Sequence, residues 1–289
     1  MSLDAATSQT MPGISREVYG DDDFRAIAEI VYASSGNVLP QGKVMLVYAR
    51  IAPLVRESGS VTFANYITMI RADPVQHARA VAALTTNHTF FYRESHHFEF
   101  FEAQVRPMIL RKIEAGEPVR LWSAGCSSGE ETWSLIMTLL GPDKIEGRRI
   151  ARADIKVLAS DLAPHALVKA KAATYLAKDL EPVPSDLVKQ WTKTEGGGIS
   201  MGDDARSMVS FRRLNLLESW PMKGKFDVIF CRNVMIYFDQ ETKERLVGRF
   251  ADTLQHDAHL FVGHSERVTG PAAQILESVG PTIYRRGTS

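Results

Sequence analysis

The stretch Leu121-Trp122-Ser123-Ala124-Gly125-Cys126-Ser127-Ser128-Gly129-Glu130-Glu131 decides how this chain folds. An apolar run from Val119 to Ala124 reads as a strand. A glycine/serine turn follows, and the apolar spacing from Glu130 to Leu140 reads as a helix. Working outward, Ile155-Lys156-Val157-Leu158-Ala159 reads as a second strand and 163–173 as a second helix. Further strands are expected at 209–214, 226–230, 259–263 and 282–285, with a helix at 239–255. Strand–helix alternation of this kind predicts an α/β fold, a mainly parallel sheet with helices on both faces. The alternation fails between Tyr175 and Ser207, where Pro182, Pro184 and Gly196-Gly197-Gly198 stand. That stretch reads as an inserted appendage or small hairpin, about 175–208.

Upstream of Glu117-Pro118 the texture is different. Apolar residues recur at helical spacing over 24–31, 41–57, 61–70, 74–84 and 95–115, and no strand-like alternation interrupts them. Asp21-Asp22-Asp23 precede the first of these runs, where acids suit the positive end of a helix dipole. The expected organisation is a loose tail over 1–20, a small all-helical domain over 21–94, a linker helix over 95–118 and the α/β domain over 119–287.

Composition bounds the function. Of 289 residues, 45% are hydrophobic and 24% charged, which suits a globular protein with a substantial core. The 34 Lys and Arg balance 34 Asp and Glu, which disfavours a nucleic-acid coat or a polybasic membrane binder. No window is long and apolar enough to span a bilayer. The first twenty residues lack the profile of a secretion signal. Cys126 and Cys231 are too few for a disulfide scaffold or a zinc site, so a reducing cytoplasm is expected and no metal.

Backbone N–H groups of the Gly125–Gly129 turn, with a helix N-terminus behind them, suit a nucleotide-like ligand at the sheet's carboxyl edge. The spacing is not G-x-G-x-x-G, and no lysine follows as in a phosphate loop, so pyrophosphate and triphosphate are disfavoured. The second strand ends in Ser160-Asp161, where a carboxylate can accept from both ribose hydroxyls. A nucleoside without a phosphate chain describes S-adenosylmethionine. A plain strand–turn–helix with a surface aspartate fits these two features equally well.

Four stretches break the tie. The glycine-turn segment from Trp122 to Glu131 resembles that of the chemotaxis receptor methyltransferases, the CheR family. Asn87-His88-Thr89-Phe90-Phe91-Tyr92-Arg93-Glu94 resembles the family's N-x-T-x-F-F-R-E signature. Phe226 to Asp239 resembles its most distinctive run, and Val262-Gly263-His264-Ser265-Glu266 its late strand-end motif. The likeness spans roughly 20–287. It implies a Rossmann-like S-adenosylmethionine methyltransferase domain after a small helical one. The implied reaction moves a methyl group to receptor glutamates, giving glutamyl methyl esters and S-adenosylhomocysteine. A scaffold that binds the cofactor without catalysis is the alternative. Asn/Asp-Pro-Pro-Tyr/Phe chemistry on nucleic acid is disfavoured, because Arg232-Asn233-Val234-Met235 is not that motif.

The same resemblance assigns residues. It implies Arg93 at the methyl-transfer centre, with Tyr237 lining the pocket. Asn87, Thr89, Arg93, Glu131, Asp161, Asn215, Leu216, Arg232 and Asn233 match cofactor-binding positions, with Glu131 expected near the methionine ammonium and Asp161 on the ribose. Blander readings stand beside these. Arg93 could pair with Glu94 or Glu99, Asn215 could cap a turn, and Tyr237 could be a core aromatic. Between 41 and 93, Lys43, Arg50, Arg56, Arg71, Arg79 and Arg93 outnumber Glu57 and Asp73. This helical face is either simply solvated or the docking face for an acidic receptor helix. A monomer is expected, with no nucleic-acid or membrane partner.

Overall fold

The computed structural model describes residues 18–85 and 87–287. The chain divides into two compact units, one up to residue 86 and one from 87 onward. The described residues of the first form helices, Asp21–Ser35, Val44–Glu57, Phe63–Ala72 and Pro74–Leu84, and no strand. Local chemistry sets its helix ends. Asp23 accepts the Gly20 N–H at 2.9 Å, and Gly36, at φ +71°, closes the first helix onto the Tyr32 carbonyl at 2.8 Å. Thr62 caps the third helix through the Asn65 N–H, and Asp73 caps the fourth ahead of Pro74. Phe24, Ile27, Val31, Val47, Ile51, Phe63, Tyr66 and Ile70 fill the core. The expected loose tail lies outside the described residues up to 17. Its last residues are anchored, because Tyr19 is buried and its ring sits 4.4 Å from Phe63.

The second unit carries ten strands: β1 Val119–Ala124, β2 Ile155–Asp161, β3 Thr174–Tyr175, β4 Thr192–Glu195, β5 Gly198–Met201, β6 Val209–Arg213, β7 Phe226–Cys231, β8 Leu254–Val262, β9 Leu276–Gly280 and β10 Ile283–Arg286. Seven form one sheet in the order β6-β2-β1-β7-β8-β10-β9. The pairs from β6 through β8 run parallel, and β10 joins β8 and β9 antiparallel. Alternation along β1 and β7 sorts the two apolar layers. Leu121, Val228 and Phe230 face one, with Trp133 and Phe98; Trp122, Ile229 and Cys231 face the other, with Phe250 and Leu246.

Three features differ from the expectation. The helical stretch after residue 95 is a layer of the second unit rather than a separate linker, since Phe98, Phe101, Val105 and Ile109 lie in the sheet's core. The boundary therefore falls at 86/87 instead of 94/95. The helix Lys144–Arg152 was not expected, because only Gly147 and Ile150 are buried in it and no apolar stripe marks it. Gly147 lies against the Trp191 ring, where a Cβ would come within 2.2 Å of Cζ2. The edge strand β9 is too short and exposed to alternate clearly. The insertion does appear where expected, as a three-stranded antiparallel sheet, β3-β5-β4, with the helix Ser185–Trp191.

Candidate functional site

The site gathers at the carboxyl ends of β1, β2, β6, β7 and β8, where ligands of open α/β sheets bind. Past β1 the chain turns at Gly125, φ +83°, and Ser127, φ 51°. The N–H groups of Gly125 and Cys126 both donate to the Ser160 carbonyl, at 2.8 and 2.9 Å. A side chain at Gly125 would meet Val234 Cγ2 at 2.4 Å, so the bare turn lets the β7 loop close over it. Asp161 accepts from the Ser127 N–H at 2.7 Å and from the Ala163 N–H at 2.8 Å. Burial pushes its carboxyl up, and the backbone N–H groups of Ala163 and Ser127 pull the other way. Ser127 Oγ donates to the Asn87 carbonyl at 2.8 Å, and Asn87 Nδ2 lies 3.2 Å from His165 Nε2. Asn87 and Asp161 are thus brought to one turn from residues far apart in sequence.

A second cluster centres on Arg232, whose side chain is only 1% exposed. Its guanidinium pairs with Glu94 at 3.2 Å and Glu131 at 3.3 Å, and donates to the Arg93 carbonyl. Glu131 also accepts from Ser123 Oγ at 2.8 Å. Burial raises the Glu131 pKa despite the neighbouring Arg232. Glu94 goes the other way. Burial alone would raise it, but Arg232 and the hydrogen bonds from His264 and Asn233 lower it to about 2. Its Oε1 accepts from His264 Nδ1 at 2.9 Å and Asn233 Nδ2 at 3.2 Å.

Arg93 is half-buried above this cluster. Its guanidinium donates to the His88 carbonyl at 3.0 Å and lies 5.8 Å from the centre of the Phe90 ring. Among the described residues it is in no ion pair: Glu94 is taken by Arg232 and His264 instead. The surface-pair reading of Arg93 therefore fails. Thr89 is half-buried between Asn87 and Arg93 in the chain. Tyr237, also half-buried, ends the short 3₁₀ turn Met235–Tyr237 and packs on the apolar layer of that face. Asn215 follows β6, next to β2, and its Oδ1 accepts the Leu217 N–H at 3.1 Å while its amide donates to Glu218. These bonds cap the turn after β6. Leu216 beside it is buried.

Glu94, His264 and Glu266 were given no role at the site from sequence. All three stood inside quoted motifs, yet Glu94 and His264 meet across 170 residues of chain. The glycine turn without a Cβ and the acid at the end of β2 fit the nucleoside of S-adenosylmethionine, and the cationic fork of Arg93 suits a carboxylate.

Comparison with known proteins agrees with that fit. Residues 87–284 match the family described as CheR methyltransferase, SAM binding domain, and residues 22–85 match CheR methyltransferase, all-alpha domain. The chain is 39% identical over 267 residues to a probable chemotaxis protein methyltransferase of Rhizobium etli, covering 90% of this chain and 97% of that one. It is 36% identical to chemotaxis protein methyltransferase 2 of Pseudomonas aeruginosa, covering 92% and 93%. It is 35% identical to the chemotaxis protein methyltransferase of Escherichia coli, covering 90% and 89%. No helix among the described residues is long and apolar enough to cross a membrane. With consecutive matches to both family domains and a glycine turn at the sheet's carboxyl edge, the chain belongs to the CheR family of S-adenosylmethionine-dependent chemotaxis methyltransferases.

Proposed function

We propose that the chain methylates glutamate side chains in the cytoplasmic helical domain of chemoreceptors, as a monomer in the cytoplasm. The observation that carries this is Arg93, a cationic fork among the site residues that forms no ion pair among the described residues. A glutamate acceptor has a pKa of about 4.3 and is already ionised at pH 7. It therefore needs a partner to hold it rather than a base to activate it. S-adenosylmethionine, when bound, supplies a sulfonium methyl that passes to a carboxylate oxygen while the C–S electron pair returns to sulfur. The protein's part is placement. Arg93 orients the incoming carboxylate and Tyr237 offers a hydroxyl beside it. Asn87, Thr89, Asp161, Asn215 and Leu216 line the nucleoside side, with Asn233 on the β7 side. Arg232 contributes through its backbone and by holding Glu131, since its guanidinium is committed to two carboxylates.

Tritiated S-adenosylmethionine supplied separately with receptor cytoplasmic fragments, DNA and RNA tests the reading. Base-labile label on receptor glutamates alone is expected. Cofactor binding without transfer to any of the three would leave only a scaffold role.

Asp161→Asn keeps a neutral amide of the same shape but cannot accept on both sides. Affinity for S-adenosylhomocysteine is expected to fall by about 1–3 kcal/mol by calorimetry. Unchanged affinity would remove Asp161 from the ribose.

Docking is proposed on the helical unit. Arg56 and Arg71 are exposed there, whereas Arg79 is already bridged to Glu57 at 2.5 Å. Reversing both charges, Arg56→Glu with Arg71→Glu, is expected to raise KM for the receptor about tenfold at low salt. The gap to wild type should close as salt rises, because such charges chiefly steer encounter. An unaltered KM would return this face to plain solvation.

A further inference from the structure

Glu266 is 4% exposed, and its carboxylate is spent on backbone N–H groups. Its two oxygens accept four backbone N–H groups. Oε1 takes Met235 at 2.7 Å and Ile236 at 3.2 Å; Oε2 takes Asn233 at 3.0 Å and Gly263 at 2.6 Å. Three of the four belong to the segment after β7, where the chain leaves the sheet and no strand partner is available to its N–H groups. That segment also carries Asn233 and Tyr237.

Its backbone is unusual. Asn233 lies at φ 59°, in the left-handed region, and is followed by a 3₁₀ turn rather than a regular helix. A non-glycine residue in this region persists only where its surroundings hold it. The end of β8 is shaped to allow the approach: a Cβ on Gly263 would fall 2.4 Å from Asn233 Nδ2 and 2.7 Å from its backbone N. On the other side, Val234 lies against Gly125 of the cofactor turn. The segment is thus clamped between the ends of β1 and β8, and a single buried carboxylate accepts three of its N–H groups.

We propose that Glu266 is a positioning residue for methyl transfer, anchoring 233–237 so that Asn233 and Tyr237 face the pocket. This rests on the reading of those two residues as pocket residues. A carboxylate is required because only an ionised acid presents acceptors on both oxygens. A glutamine can serve one pair of N–H groups and must turn its own NH₂ toward the other.

The test uses the full chain carrying Glu266→Gln, followed by backbone amide hydrogen exchange and by methyl transfer to a receptor fragment. Exchange at Asn233, Met235 and Ile236 is expected to quicken about tenfold or more, with kcat falling by a similar factor. Asp227→Asn serves as the control. Asp227 is also a buried carboxylate of this unit, accepting from Lys112 Nζ at 2.6 Å and the Arg120 N–H at 2.7 Å. Its substitution is expected to lower stability while leaving kcat unchanged. Should Glu266→Gln not fold, Glu266→Asp, which keeps the charge but shortens the reach, is judged by the same two readouts. Wild-type exchange rates at 233–236, or quickened exchange with unchanged kcat, would overturn the proposal. A wild-type enzyme inert toward the receptor fragment would count against glutamate methylation, and the exchange result would still decide whether Glu266 holds the segment.

Discussion

Replacing Arg93 with lysine is expected to lower turnover by about 10²-fold, near the effect of alanine, because lysine keeps the charge but loses the planar fork that matches a carboxylate. The structure sharpens this expectation. The guanidinium is held by the His88 carbonyl and the Phe90 ring, both from the same short stretch. A lysine ammonium has no planar face to lay on that ring and cannot donate to His88 and a substrate oxygen in one fixed geometry. Cofactor affinity should change far less, since Asp161 and the glycine turn remain. Steady-state kinetics with receptor fragment, alongside calorimetry with S-adenosylhomocysteine, reads both quantities. Near-normal turnover in Arg93→Lys would reduce Arg93 to a diffuse charge near the pocket.

The second large effect concerns stability. Arg232→Ala is expected to cost about 3–5 kcal/mol in urea unfolding, because it strands Glu94 and Glu131 without their shared partner. Its pH dependence follows from the two carboxylates. Glu94 has its folded pKa lowered from 4.5 to about 2, so in the wild type its contribution is present above pH 4.5 and is lost as pH falls toward 2. Without Arg232 that contribution shrinks. Glu131 is raised by burial, and protonation relieves the charge it would otherwise carry unpaired. The deficit of the variant relative to wild type should therefore narrow as pH falls from 7 toward 4. A deficit that stays constant over this range would mean that the loss comes from packing against Phe98 and Phe230, whose rings lie 5.5 and 6.0 Å from the guanidinium, rather than from charge.

The parts of this site that were legible in sequence are the contiguous ones. The β1 strand, its glycine turn and the following helix occupy one unbroken run, and strand, turn and helix each leave a local pattern. Asp161 was legible for the same reason, as the last residue of a clear strand. Arg232 was less so. Its position after β7 suggested the pocket, but its guanidinium answers to Glu94 and Glu131, and only folding brings those three together. Glu266 was harder still, since its partners are backbone N–H groups, which every residue has and no sequence pattern displays. The helix Lys144–Arg152 escaped for a different reason: its sequence is polar almost throughout, and only Gly147, under Trp191, and Ile150 are buried in it.

The placement of β1 has a consequence for how the chain is made. β1 lies between β2, which follows it closely, and β7, whose Asp227 accepts from the Arg120 N–H across 107 residues. During synthesis β1 and β2 can pair early, but the other edge of β1 stays open until the chain beyond residue 226 has emerged. Non-local pairing of this kind slows folding and leaves an apolar strand edge unprotected meanwhile. The β1 strand reads Val-Arg-Leu-Trp-Ser-Ala and has one charged side chain to deter wrong partners. The nascent enzyme therefore passes through an interval in which one edge of its central strand is unpaired. Chaperone dependence and yield on overexpression should be governed by that interval rather than by the stability of the finished protein.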